Sequence, residues 1–320
     1  MKEIKEVLIV GAGTMGHGLA QVFAVNGVSV KLVDENDDLL NRAQRWITDN
    51  LNYMVELGEI KKDKVQPTLS RVQYTVDLKQ AARTADYVLE AVNENLDLKK
   101  RIFQQLGQWT RPHVALATNT SSFDINEFSA VTAHPERIIG THWFHPPQIT
   151  PCVEIIPSSA TSQETIEVAI DLMRRIGKAP TRCRSAPGFV ANRIQMAMAA
   201  EALAIVEEGL TTPEEVDQIV RTSFGFRLSA YGPFQICDQA GADTYNTIYE
   251  YLYGKLKREQ FKPSPLLKKQ VEQGYLGLKT NHGFYEYKKG AAEAMKRERD
   301  KKLYARLRLF REEQKTEKKI

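Results

Sequence analysis

Residues 7–16 read V-L-I-V-G-A-G-T-M-G, an aliphatic run that ends in Gly11, Gly13 and Gly16. Few folds accept such a segment. A run this apolar belongs to a strand covered on both faces, and the G-x-G-x-x-G spacing turns that strand directly into a helix packed against it. Gly11 permits the tight turn, Gly13 lets backbone approach a pyrophosphate, and Gly16 lets the helix close on the strand. The helix start at Thr14, Met15, Gly16 and His17 presents unpaired N–H groups and a positive dipole end to phosphates. A second apolar run, residues 28–33, ends in Asp34, eighteen residues past Gly16. A carboxylate at that strand tip accepts hydrogen bonds from the two ribose hydroxyls and repels a 2′-phosphate. The expected cofactor is therefore NAD and not NADP.

Further strand-like runs follow at residues 71–76, 86–89, 114–118, 138–142 and 152–156, and helical spacing of apolar residues fills 36–57, 94–109 and 162–176. That alternation predicts an α/β domain built on a Rossmann-type, doubly wound parallel sheet. Residues 41–69 form a long helical arm, expected as a helical pair broken at Gly58. From Pro187 the texture changes. Residues 187–209 hold one long, nearly all-apolar helix, which needs other helices around it. T-T-P-E-E at residues 211–215 combines a hydroxyl N-cap, proline at the first helical position and acids in the first turn. Helices are expected over 213–223, 239–257 and 264–273. The predicted organisation is a NAD-binding domain over 1–185, an all-helical C-terminal domain for substrate and dimerisation over 186–290, and a basic tail over 291–320. In the tail, an amphipathic helix through Leu303, Leu307 and Phe310 and a frayed or partner-bound segment are both open.

The length of 320 residues itself favours two domains. The start, M-K-E-I-K-E, lacks the apolar core of a signal peptide, and the apolar stretch at 196–206 is interrupted by Glu201. No membrane span is expected. Cys152, Cys183 and Cys237 are odd in number and without metal-ligand spacing, which points to reduced thiols in a cytoplasmic protein with no metal. The net charge of +4 hides an asymmetry. Residues 288–320 carry 13 Lys/Arg against 6 Asp/Glu, a net of +7, so residues 1–287 carry −3. The basic character belongs to the tail, no nucleic-acid motif is present, and no nucleic-acid partner is expected.

Ligands of an open parallel sheet lie beyond the carboxyl ends of its strands. The reactive side chains there are Asp34, then Glu90, Asn93 and Glu94, then Asn119-Thr120-Ser121-Ser122, then His142 and His145, with Glu154 in the last strand. His142 ends I-I-G-T-H, and imidazole is the side-chain type suited to act as base for a secondary alcohol. A histidine that only bonds within the core is the plainer alternative. Glu154 favours the first reading: a carboxylate within C-V-E-I-I is costly to bury unpaired, and imidazole is its nearest partner, giving a base and its orienter. An exposed edge position is the alternative for Glu154. Residues 119–122 either give a hydroxyl to a substrate or cap a helix at 122–124. Asn192 lies within the apolar helix start, where an amide bonded to backbone is the plain alternative.

Together these segments resemble the 3-hydroxyacyl-CoA dehydrogenase family over residues 4–288. The carrying motifs are G-A-G-T-M-G-H-G, L-E-A-V-N-E-N, N-T-S-S, G-T-H-W-F-H-P-P, V-E-I-I, P-G-F-V-A-N-R, E-E-G-L-T-T-P-E-E-V-D, G-P-F-Q-I-C-D and G-L-K-T-N-H-G-F-Y-E-Y. The resemblance implies His142 as base, Glu154 as its orienting partner, and Ser121 and Asn192 as contacts to the substrate oxygen. It implies NAD contacts from Glu94, Lys99, Asn119 and Lys279 and a role in CoA binding for residues 41–65, including Lys61, Lys62 and Lys64; the apolar helix at 189–206 suggests that the second domain makes a homodimer core. One position departs: H-W-F-H-P carries His145 where the family has an asparagine at the nicotinamide end of the cofactor. The W-F-H-P-P, N-R-I-Q-M-A and F-G-F-R-L-S-A-Y-G-P-F stretches also resemble relatives that oxidise free hydroxy acids, such as L-gulonate and carnitine. The expected substrate is a short-chain (S)-3-hydroxyacyl-CoA. A small free hydroxy acid, or a non-catalytic NAD-binding role, are the alternatives.

Overall fold

In the computed structural model, which describes residues 3–317, the apolar runs become strands of one sheet. They are β1 (Glu6–Val10), β2 (Ser29–Val33), β3 (Val72–Thr75), β4 (Tyr87–Glu90), β5 (Ala115–Thr118), β6 (Ile138–Trp143), β7 (Cys152–Pro157) and β8 (Ala179–Arg182). Their order is β3-β2-β1-β4-β5-β6-β7-β8. All neighbours run parallel except β6 and β7, which are antiparallel with His142 paired to Glu154. Successive side chains of a strand face opposite ways, and the burial follows: Val7 and Ile9 enter one core, Leu8 and Val10 the other. Leu19 and Phe23 of the helix Gly16–Val25, and Leu40, Ala43, Ile47 and Leu51 of the helix Asp37–Glu56, close the first core. Ile102, Phe103 and Leu106 of the helix Leu96–Trp109, with Phe128, close the second. Both faces of the sheet are thus covered, as a parallel sheet demands.

One strand was not anticipated and one local reading is corrected. β8 reads A-P-T-R and has no apolar alternation, because it is a largely exposed edge strand on which proline is tolerated. No helix is capped at 122–124; the chain turns there, and the short helix Asn126–Ser129 follows, with Asp124 accepting from the Asn126 amide. The arm at 41–69 is the helix Asp37–Glu56, a break at Gly58 with φ +75°, and a short helical return over Lys62–Lys64 and Val65–Leu69.

The chain divides into two compact units, one ending at Ala199 and one starting at Ala200. The difference from a boundary near residue 185 has a physical cause, since the amides that open the helix Ala191–Glu207 are bonded to Glu154 of β7. That apolar helix is not buried within one chain: Ile194, Met196 and Leu203 are 59%, 57% and 64% exposed. The second unit is helical. Thr212 caps Pro213–Thr222 in a reciprocal box with Glu215, and Ala242–Leu256 and Pro265–Glu272 pack through Ala242, Leu267, Tyr245 and Tyr249. Two helices were not anticipated, Phe224–Leu228 and Pro233–Ala240. The tail is a helix, Ala291–Glu317, with Phe310 against Phe226 and Arg306 bonded to Ser229. Among the described residues, no helix is long and apolar enough to cross a membrane.

Candidate active site

Strand order reverses direction between β1 and β4, so the loops after these two strands diverge and leave a crevice beyond their carboxyl ends. Gly11 stands there with φ +105°, and a Cβ on it would lie 2.6 Å from the Ala91 carbonyl oxygen. A Cβ on Gly16 would lie 1.7 Å from the Gly11 oxygen. Both positions therefore require glycine for the fold itself. Gly13 differs: nothing lies within 4 Å of its added Cβ, so the space above it is open to a ligand. The helix behind the loop starts at Gly16, with Thr14 and Met15 forming the turn into it, and has neither a side-chain cap nor an acid in its first turn. Its free N–H groups suit an anionic ligand.

Asp34 follows β2. One carboxylate oxygen accepts from the Ala12 amide at 2.6 Å and the other from the Glu35 amide at 2.7 Å. The side chain is thus locked to the glycine loop, with lone pairs left for a diol. It borders a cavity of about 490 Å³ whose walls include Gly11, Gly13, Val33, Arg42, Val92 and Ile102. An open glycine cradle, an uncapped helix start and a fixed carboxylate beside an apolar-walled cavity fit a dinucleotide.

At the other end of the sheet, register places His142 opposite Glu154 on adjacent strands. His142 is 3% exposed and Glu154 4%. His142 Nδ1 lies 2.8 Å from Glu154 Oε2, and Glu154 Oε1 accepts from the amides of Val190 and Ala191 at 3.1 and 2.9 Å. Burial alone would raise the Glu154 carboxyl, but the bond from His142, the two amides and the imidazole charge hold it below its ordinary value. An ionised carboxylate can only accept, so Nδ1 carries the proton that faces it, and Nε2 is the ring nitrogen turned away from Glu154. Phe144 and Phe189 pack on the ring, at 4.6 and 5.6 Å between centroids. Phe189 sits at φ +49° after Gly188 at φ +71°, and this left-handed pair aims the following two amides at Glu154.

The loop after β5 completes the site. Asn192 Nδ2 donates to the Ser121 carbonyl at 3.2 Å, which brings together two residues 71 positions apart. Asn119 accepts from the Trp143 amide at 2.9 Å, tying the tip of β5 to β6. Glu94 accepts from the Thr120 hydroxyl at 2.5 Å, the Ser121 amide at 3.0 Å and the Ser122 hydroxyl at 3.0 Å. Burial opposes its ionisation, yet these donors and the Lys99 charge hold its carboxyl below the ordinary value. Lys99 is fully enclosed and paired with Glu90 at 2.7 Å. His145 is exposed. Its loop rests on the glycine helix, where a Cβ on Gly18 would meet Pro147 at 2.6 Å. His17, which spacing alone did not single out, donates from Nδ1 to the Gly13 carbonyl at 2.9 Å and packs on Trp46. Burial pulls its imidazole below the ordinary 6.5, and the charge of His145 adds to the fall. In the second unit Lys279 pairs with Asp243 at 2.5 Å. Among the described residues, no group of three or more His, Cys, Asp or Glu could hold a metal.

Two sequence profiles match this chain: the 3-hydroxyacyl-CoA dehydrogenase NAD binding domain over residues 6–186 and the 3-hydroxyacyl-CoA dehydrogenase C-terminal domain over 188–287. The chain belongs to the 3-hydroxyacyl-CoA dehydrogenase family. It is 38% identical over 279 residues to a probable 3-hydroxybutyryl-CoA dehydrogenase of Deinococcus radiodurans, a match spanning 87% of this chain and 99% of that protein. The crystal structure of a 3-hydroxyacyl-CoA dehydrogenase from Archaeoglobus fulgidus covers 96% of this chain and 100% of its own, at 29% identity and a TM-score of 0.79. That of 5-formyl-3-hydroxy-2-methylpyridine 4-carboxylic acid 5-dehydrogenase, an NAD+ dependent dismutase, covers 96% of this chain and 98% of its own, at 30% identity and a TM-score of 0.72. As a member of the 3-hydroxyacyl-CoA dehydrogenase family the chain is an oxidoreductase that uses NAD. Sequence reading named Glu90 and Lys99 separately but missed that they pair, and it missed Phe189 and the His17 side chain. The only advance signals were a lysine at helical spacing within L-D-L-K-K and a bulky residue directly after Gly188.

Proposed function

We propose that this chain oxidises the 3-hydroxyl of a short-chain (S)-3-hydroxyacyl-CoA, such as 3-hydroxybutyryl-CoA, to the 3-ketoacyl-CoA. The observation that carries the reading is the buried His142–Glu154 pair, with Nδ1 held by the carboxylate and Nε2 on the other side of the ring. His142 Nε2 takes the hydroxyl proton as the C3–H bond breaks, and Glu154 steadies the imidazolium that forms. Ser121 and Asn192, linked to one another, position the reacting oxygen. NAD would supply the hydride acceptor, held by the Gly11–Gly16 loop, Asp34, Glu94 and Asn119. Lys61, Lys62 and Lys64 are exposed on the arm, where they suit CoA phosphates. The apolar helix Ala191–Glu207 is left uncovered in one chain, which supports a homodimer.

A second reading keeps the same chemistry on a free hydroxy acid. It is favoured by His145 in the loop after β6 and by the similarity to a pyridine carboxylic acid dehydrogenase. A substrate panel of 3-hydroxybutyryl-CoA, L-gulonate and L-carnitine with NAD decides between them. Turnover of the CoA ester with little on the acids is expected, and the reverse order installs the second reading. His142→Gln is expected to lower kcat by about 10³-fold with NAD binding kept; near-normal turnover in that variant removes His142 from the mechanism.

A further inference from the structure

Glu90 ends β4 with no exposure, and Lys99, on the helix Leu96–Trp109, is 1% exposed. A buried ion pair of this kind returns no more stability than apolar side chains of the same volume, so its connections give it its value. Glu90 Oε1 accepts from Lys99 Nζ and from the Val92 amide, both at 2.7 Å, and Oε2 accepts from the Thr118 hydroxyl at 2.7 Å. The carbonyl of Glu90 accepts from the Asn119 amide at 2.8 Å. Lys99 Nζ also reaches Glu94 Oε2 at 3.2 Å and donates to the Val92 carbonyl at 3.3 Å. Of the three N–H groups of the ammonium, two are engaged by Glu90 and the Val92 carbonyl, and the charge also pairs with Glu94. Glu94 carries the chain onward through its other oxygen to Thr120, Ser121 and Ser122. One continuous network thus runs from the tips of β4 and β5, through a helix, to the loop that holds Ser121.

We propose that Glu90 and Lys99 form a positioning pair: Glu90 fixes Lys99, Lys99 fixes Glu94, and Glu94 sets the loop that carries Ser121 and flanks the cofactor crevice. This rests on the reading of Ser121 and the NAD site given above. Lys99 thus acts on the loop through its pairing with Glu94.

The test separates positioning from stability. Glu90→Gln leaves the Lys99 charge half-compensated, and Lys99→Met leaves two carboxylates together; both are expected to lower Tm. The double variant Glu90→Leu/Lys99→Met removes both charges and is expected to regain most of that Tm. Its kcat is nevertheless expected to stay about 100-fold below wild type and its NADH Kd, read by tryptophan fluorescence without substrate, to rise about tenfold. Recovery of Tm together with wild-type kcat and NADH Kd overturns the proposal. Thr118→Val keeps both charges and removes only the hydroxyl on Glu90 Oε2, so it serves where the double variant does not fold. A several-fold rise in NADH Kd supports the proposal; a folded Thr118→Val with unchanged NADH Kd and kcat overturns it. Because NADH binding needs no substrate, a wild type that binds NADH but turns over no hydroxyacyl-CoA sinks the substrate reading and leaves this comparison standing.

Discussion

Glu154 is held by three donors, and each has a separate consequence. The bond from His142 fixes the tautomer, and the amides of Val190 and Ala191 fix the carboxylate itself. Its carboxyl ionises below the ordinary 4.5, so its contribution to stability is complete above that pH and is lost as pH falls through the depressed value. Thermal melts of wild type and Glu154→Gln should therefore differ most above the ordinary 4.5 and converge as pH falls through the depressed value. A gap that stays constant over that range removes the linkage. In turnover, Glu154→Gln should cost about 10³-fold in kcat, because an amide can present the wrong partner to Nδ1 and release Nε2 from its role. The pair was legible in sequence because a carboxylate inside C-V-E-I-I has no cheap solution except a partner. Glu90 and Lys99 were not, because their pairing depends on how a helix returns to the tip of β4.

Elements were legible in proportion to their burial. Strands covered on both faces are continuous apolar runs, so β1, β2, β4, β5, β6 and β7 stand out, whereas β8, exposed at an edge, carries no such mark. The glycine loop shows how one motif holds residues of different purpose. Gly11→Ala forces a side chain into φ +105° against the Ala91 carbonyl and should lower Tm by several degrees, a strain cost of about 1–3 kcal/mol. Gly13→Ala meets nothing in the protein; its Tm should match wild type while KM for NAD rises by about tenfold or more, the methyl standing where backbone approaches pyrophosphate. Melting curves and NAD titrations of the two variants check this, and equal losses of Tm would show that Gly13 also serves the fold. The arm makes a further prediction at this scale. Replacing Lys61, Lys62 and Lys64 together by alanine should raise KM for an acyl-CoA and lessen its salt dependence, with no change for a free hydroxy acid. An unchanged KM for the CoA ester places the three lysines outside the site.

At the scale of the molecule, the helix Ala191–Glu207 decides what the chain is in solution. Its sequence predicts burial, and the single chain leaves Ile194, Met196, Met198 and Leu203 largely exposed. Isolated apolar residues on a surface need no explanation, but several exposed around one helix point to an interface. The same helix opens at Val190 and Ala191, whose amides hold Glu154, and carries Asn192 against Ser121. Covering this helix with a second copy would therefore brace the element that orients the base. Light scattering should return about twice the 36.3 kDa of one chain. Leu203→Glu, which places a charge on the exposed helix far along it from the catalytic residues, should shift that mass to one chain and lower kcat with NADH affinity retained. A wild type that runs as a monomer with full turnover would show that the helix orients Glu154 without a partner copy.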